Sequence, residues 1–441
     1  MPALPTLTAI AALALLLPVT SQAATFTFCM KWRVQTTDSG RTVTLPDGSV
    51  IKEDYWATDD PQLQTAHGML FTVQRPGLNG GLPLLLVANP STGCANLTDT
   101  AGTHAYALRA HAVSLDANHN VVRVVDALGA PYVFDVAVQA TSGVTLSVPV
   151  PSNPFFPLTD DEKAIGTLAA ISAFSAYRST FGLSGKRMDI IEAEASSAHS
   201  GPGVDLSQLE RGYIRISIHK PSHEDATDHR TMKFIVSHEM GHAWLLLNHG
   251  GGVEPNVALD YDASVDAAAC HYVADDGSDD TYTIDSLEYN AVGFREGTAH
   301  FYAARVWNDA KPDGVFTWFA GNGRSLAQVA DPDLGGGRTF QRCVTPSRKL
   351  ATLCADNVTT NEDWLRFWWG WHTRTSPAVP TTTIRDVYEQ TLDNGSLFKD
   401  NYRARLEVAV GELVTDANQT FGFFALADWH GISSGENTRC Q

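Results

Sequence analysis

One short run constrains this chain more than any other: FIVSHEMGHAWLLLNHG, at residues 234–250. Apart from Glu239 and the histidines it is uncharged and mostly apolar, the composition of a helix that lies in a protein interior. Polar side chains on such a helix need partners, because an unsatisfied polar group is costly to bury. His238 and His242 are one helical turn apart on the same face, so both imidazoles can reach one ion. Glu239 projects about 100° around the helix from His238, where it can touch a metal-bound water without coordinating the metal. Zinc lowers the pKa of such a water towards about 7, and a carboxylate beside it can take the proton during attack on a carbonyl. His238 and His242 are therefore candidate zinc ligands and Glu239 a candidate general base.

A catalytic zinc needs a third protein ligand. His249 is nearest in sequence, but on a continuous helix it lies about 10.5 Å further along the axis than His242, too far to share an ion. The metzincin pattern HExxHxxGxxH solves this with a glycine three residues after the second histidine. Here Leu245 holds that position, and Asn248 stands where the third histidine belongs. His249 fits better in the last helical turn before Gly250, where an imidazolium complements the helix dipole. The other candidates are acidic: Glu296, in GFREGTAHFYAARVW, and an aspartate or glutamate in the intervening loop.

On these two motifs, HEMGH upstream and REGTAHF downstream, the chain resembles the gluzincin branch of the zincin metallopeptidases. Those enzymes pair HExxH with a glutamate on a second helix, often within EGxADxF or NExxSD. The resemblance implies that His238, His242 and Glu296 bind zinc and that Glu239 is the general base. It also implies that Gly297 and Ala299 are the small residues that let two helices approach closely. His300 stands where the family usually carries an aspartate that hydrogen-bonds a zinc-bound imidazole, and a neutral ring nitrogen of His300 can accept such a bond. The resemblance is confined to the two motifs and to the helix, strand, edge strand, helix order before them.

The rest of the chain frames these motifs. Residues 1–24 read as a signal peptide, with an apolar core from Leu7 to Val19 and small residues before a cleavage point near Ala23 or Ala24. Residues 25–150 carry short runs such as TFTFCMKWRV, AYALRAHAVSL and YVFDVAVQA between Gly- and Pro-containing turns, which predict a β-sandwich accessory domain. The proline-rich stretch at 151–158 reads as a linker. Thr159 and Glu162 then form a capping box ahead of an apolar face from Ile165 to Phe181. The expected fold class is α+β: the all-β sandwich, a zincin-like catalytic domain at 159–310 and a helical C-terminal part at 311–441.

The formal net charge of −18 argues against nucleic acid or anionic membrane as partners. Six cysteines with no CxxC pair fit an oxidising compartment and disulfides rather than a cysteine-bound metal. Cys29 with Cys94 would staple the N-terminal region, and Cys343 with Cys354 a local loop. The location expected is secreted, extracellular or periplasmic.

Several side chains remain as lesser candidates. Tyr289, Tyr302, His271 and His430 could each stabilise a developing oxyanion. The strand GYIRISIH, with Tyr213, Arg215 and Ser217 on its polar face, is placed to pair with an extended substrate at a sheet edge. The aspartate-rich loop from Asp260 to Asp285 can supply oxygen ligands to Ca2+, although a solvated acidic loop explains it equally. The stripe Trp364, Phe367, Trp368 and Trp371 reads as helix core.

The function expected is zinc-dependent hydrolysis of peptide bonds in a peptide or protein substrate. The alternative is a secreted binding or adhesion protein whose zincin domain is structural or inactive. A weaker third option is hydrolysis of a non-peptide amide or ester. The sequence does not decide the oligomeric state.

Overall fold

The computed structural model describes residues 22–33, 42–44, 50–52, 63–115, 121–125, 129–150, 187–193, 203–205, 213–219, 238, 240–242, 272–273, 288–307, 349–350, 358–393 and 402–432. Residues 1–21 of the expected signal peptide, the linker, the helix after it, Glu239, His271, most of the aspartate-rich loop and four of the cysteines lie outside these residues. The described parts form a mixed α+β fold, with sheets in the first half of the chain and helices mostly in the C-terminal part.

The N-terminal region is built on alternation. In strand Ala23–Arg33, Phe26, Phe28, Met30 and Trp32 point inward and are fully buried. Burying each such side chain contributes about 1.5–3 kcal/mol. This strand pairs in parallel with Thr145–Val150 on one side. On its other side it pairs antiparallel with Cys94–Thr100 and, at its end, with Leu63–Thr65. A second sheet is centred on the long strand Thr103–Leu115, which buries Tyr106, Leu108, Ala110 and Ala112. The two sheets meet through their aromatic rings: Phe28 lies edge-on to Tyr106 at 5.4 Å, and Trp32 edge-on to Phe134 at 5.8 Å.

Two features brace this region. Cys29 and Cys94 are direct cross-strand neighbours and form the expected disulfide, closing a separation of 65 residues. Between the sheets, Asp99 is gripped by both Nε and Nη2 of Arg75 and accepts hydrogen bonds from the Tyr106 hydroxyl at 2.9 Å and the Thr100 amide at 2.7 Å. The Arg75 hydrogen bonds hold its carboxyl at about 2, well below the usual value, despite the opposing effect of burial.

The second sheet does not stop at residue 150. Strand Arg187–Ala193 pairs in parallel with Val121–Val125, and Tyr213–His219 pairs in parallel with Arg187–Ala193. The junction carries a bidentate ion pair, Arg123 Nε and Nη2 to the two oxygens of the buried Asp189, at 2.8 and 2.6 Å. The strands on either side of the expected linker thus belong to one sheet. Tyr213–His219, expected at the sheet edge, is not outermost: Gly203–Asp205 pairs antiparallel with it at Arg215, Ile216 and Ser217. Those backbone positions are already hydrogen-bonded within the chain, so the edge belongs to Gly203–Asp205.

The helices are α1 (Asn290–Trp307), α2 (Asn361–Arg374), α3 (Thr381–Asp393), α4 (Tyr402–Leu413) and α5 (Ala417–Trp429). Thr360 caps α2, its hydroxyl accepting from the Asp363 amide at 3.1 Å. Glu362 and Asp363 in the first turn and Arg374 in the last complement the helix dipole. Asp416 caps α5 in the same way. The tryptophan stripe is core: Trp364, Phe367, Trp368 and Trp371 are fully buried. Phe294 from α1 stacks on Tyr388 at 4.6 Å and meets Trp364 edge-on at 5.0 Å. Among the described residues no helix is long and apolar enough to cross a membrane.

Two outcomes follow from the bracing of the sheets. Replacing Cys29 and Cys94 by serine should lower stability by about 2–4 kcal/mol in chemical denaturation, the range for losing a link that closes a long loop. Asp99, with its pKa depressed on folding, contributes stability that is present above about pH 4 and is lost as the pH falls towards 2. The loss should amount to about 2 kcal/mol in denaturation curves at pH 5 and pH 2. Asp99→Asn should be less stable at neutral pH and should lack this part of the acid dependence.

Candidate metal centre

The site depends on how closely α1 approaches its neighbours. A Cβ at Gly297 would lie 2.3 Å from the Trp364 Cβ and 2.7 Å from the Asn361 carbonyl oxygen, so only glycine permits this crossing of α1 and α2. Two polar ties fix the register of the pair. The Trp368 indole donates to Thr298 Oγ1 at 2.9 Å, and Thr298 donates to the Phe294 carbonyl at 2.6 Å. Near the other end of the crossing, Arg305 Nε donates to His372 Nε2 at 3.1 Å. His372 Nδ1 lies 2.7 Å from the Val379 carbonyl, which assigns the ring proton to Nδ1 and leaves Nε2 as an acceptor. Burial, more than any charge nearby, keeps that imidazole neutral.

The other face of α1 meets the helical turn that carries the histidines. A Cβ at Gly241 would stand 3.0 Å from the Ala299 Cα and 3.2 Å from the Tyr302 Cβ. Gly241 and Ala299 thus bring two backbones to contact distance, and Glu296 arrives opposite His238 and His242. The chain separations of 58 and 54 residues are closed by this contact.

Three atoms converge there. His238 Nε2 and His242 Nε2 lie 3.0 Å apart, and Glu296 Oε2 lies 3.1 and 3.2 Å from them. His238 is buried, and the side chains of His242 and Glu296 are only 13% and 17% exposed. Hydrogen bonds alone cannot satisfy such a triangle. If both imidazoles donate to the carboxylate, their two N–H groups confront each other across the third edge; if either does not, lone pairs converge. A cation at the centre satisfies all three, so this group can hold a metal ion.

The electrostatics point the same way. Burial pushes the Glu296 carboxyl up, but the charge of His242 and the hydrogen bonds from both histidines outweigh it and hold the group well below the usual range. Its second oxygen, Oε1, is held by Arg295 Nε at 3.1 Å and Nη2 at 3.0 Å. Sequence reasoning missed Arg295 and Gly241. Both adjoin motif residues, Arg295 before Glu296 and Gly241 before His242, where a side chain next to a ligand is a natural place to look for its support.

The lesser candidates are dispersed. His300 is buried and sets its ring against that of His238, with centroids 4.2 Å apart. Burial holds it neutral, well below the usual histidine range, and the neighbouring His238 lowers it further. This is a ring contact: His238 Nδ1 has no hydrogen-bond partner among the described residues. Tyr302 is fully buried in the contact with Gly241, and desolvation raises its hydroxyl far above the usual value. Tyr289 lies in the short strand Glu288–Tyr289 that leads directly into α1. His430 caps the C-terminus of α5; it is buried and held neutral by desolvation and by the charges of Arg366 and Arg374.

The crossing at Gly297 is testable. Gly297→Ala gains about 1 kcal/mol of helix propensity but must push α1 away from Trp364, at a cost of about 1–3 kcal/mol or more. The steric effect should win, lowering Tm and moving Glu296 away from the histidines. Gly411→Ala is the control: nothing lies within 4 Å of its Cβ position, so it should hold or raise Tm.

Comparison with known proteins gave no match among family models, curated proteins or solved structures.

Proposed function

We propose that this chain is a secreted zinc-dependent peptidase of gluzincin type, hydrolysing peptide bonds in a peptide or protein substrate. The observation that carries this reading is the triangle of His238 Nε2, His242 Nε2 and Glu296 Oε2, with edges of 3.0–3.2 Å. Two imidazoles and one carboxylate are the donor set of many hydrolytic zinc sites, and four-coordinate zinc spaces donors about 3.3 Å apart. Three protein donors leave one position open, as a catalytic site requires.

Bound zinc supplies Lewis acidity and a water of lowered pKa. The chain supplies the rest. His238, His242 and Glu296 hold the ion. Glu239, next to His238 in the sequence, would take the proton of the attacking water and deliver it to the leaving amine nitrogen. The Cys29–Cys94 disulfide suits an oxidising compartment, which supports secretion.

A second reading, a secreted binding protein with an inactive metal centre, is favoured by one feature. Among the described residues, His238 Nδ1 has no carboxylate or carbonyl partner of the kind that usually orients a zinc-bound imidazole.

Zinc stoichiometry and hydrolysis of a mixed peptide library separate these readings. The wild type should hold one zinc and cleave, and Glu296→Ala should lose both properties. Glu239→Ala should retain zinc and lose about 10²-fold or more of the rate. A wild type that keeps zinc and cleaves nothing would favour the binding protein, and zinc bound equally well by Glu296→Ala would remove Glu296 from the site.

A further inference from the structure

We infer that Arg295 is a positioning residue that restricts Glu296 to presenting a single oxygen to the metal, which keeps the centre at low coordination number. The inference rests on the metal-centre reading given above.

A carboxylate can meet a cation with one oxygen or with both, and nothing in Glu296 itself chooses between them. The backbone of Glu296 is fixed by its neighbour Gly297, which packs against Trp364. Its side-chain torsions are a separate matter. They are set by a division of the two oxygens: Oε2 faces both histidines at 3.1 and 3.2 Å, while Oε1 takes Nε and Nη2 of Arg295 at 3.1 and 3.0 Å. Two donors of one planar guanidinium converge on Oε1 and hold that oxygen, while the histidines hold Oε2, so the carboxylate is pinned at both ends. Turning Oε1 towards the histidines would break both contacts at once.

This division has a chemical consequence. One carboxylate oxygen and two imidazoles suit a small tetrahedral ion with an open position, whereas a two-oxygen carboxylate raises the coordination number and fills that position. Arg295 also draws charge from the carboxylate, which leaves the ion a stronger Lewis acid. Its side chain is 34% exposed, so replacing it leaves the buried core in place.

Cobalt(II) substitution reads the coordination number directly, because four-coordinate cobalt absorbs more strongly in the visible than five- or six-coordinate cobalt. The wild type should give an intense band. Arg295→Met should give a weaker band and a zinc affinity changed by about 10–100-fold, the range for losing a group that orients a ligand. Arg295→Lys, which keeps the charge but not the fork, should fall between them. Circular dichroism and Tm establish that each variant is folded. If Arg295→Met and Arg295→Lys both keep the wild-type band and affinity, the inference is overturned while the metal centre stands. A wild type that takes up neither cobalt nor zinc overturns the metal centre and this inference together.

Discussion

Two close contacts between helices, at Gly241 with Ala299 and at Gly297 with Trp364, determine what the rest of this structure can be. The donor atoms sit on segments far apart in the chain, and they meet only because α1 can touch a backbone on both sides. A Cβ at Gly297 would have to displace Trp364, and one at Gly241 would need its neighbours to give by a few tenths of an ångström, shifts that matter to donors 3.0–3.2 Å apart. The aromatic core of α2 and its neighbours then gives α1 a rigid wall, and the polar ties Thr298–Trp368 and Arg305–His372 prevent it from sliding. A site whose atoms must agree to within a few tenths of an ångström is built on elements that cannot shift by more.

Polar groups in this interior are satisfied in two different ways. Asp99 is surrounded by donors from Arg75, Tyr106 and Thr100, and Asp189 by Arg123, so each buried carboxylate has its charge balanced within the protein. At Glu296 the Arg295 guanidinium takes one oxygen, but the three facing atoms, His238 Nε2, His242 Nε2 and Glu296 Oε2, cannot all be satisfied by one another. That contrast, more than the presence of histidines, marks the cluster as a candidate metal centre.

Much of this was legible in the sequence, for physical reasons. The i, i+4 spacing of His238 and His242 fixes two donors by helix geometry alone. The alternation of Phe26, Phe28, Met30 and Trp32 announces a strand with one buried face, and Cys29 and Cys94 proved to be cross-strand neighbours. The helical period of Trp364, Phe367, Trp368 and Trp371 marked a core helix. What could not be read was pairing between distant strands. Nothing in GYIRISIH says that the short segment Gly203–Asp205 covers it, because a three-residue strand carries too little pattern to be seen. Nor could the contact of His300 with His238 be foreseen as ring against ring, since which face a helix turns to its neighbour depends on packing from both sides.

The parallel pairing of Val121–Val125 with Arg187–Ala193 bears on how the chain folds as it is made. The partners in the Arg123–Asp189 bridge are 66 residues apart, so the N-terminal sheet has an open edge until the later strand has been synthesised. Open edges invite pairing with other chains, and parallel contacts across long separations form slowly. The region that contains no catalytic candidate therefore shares a sheet with the chain beyond the expected linker. Its sheet is completed only by a strand from the half that carries the candidate metal centre, so folding of the two halves is coupled in time as well as in space.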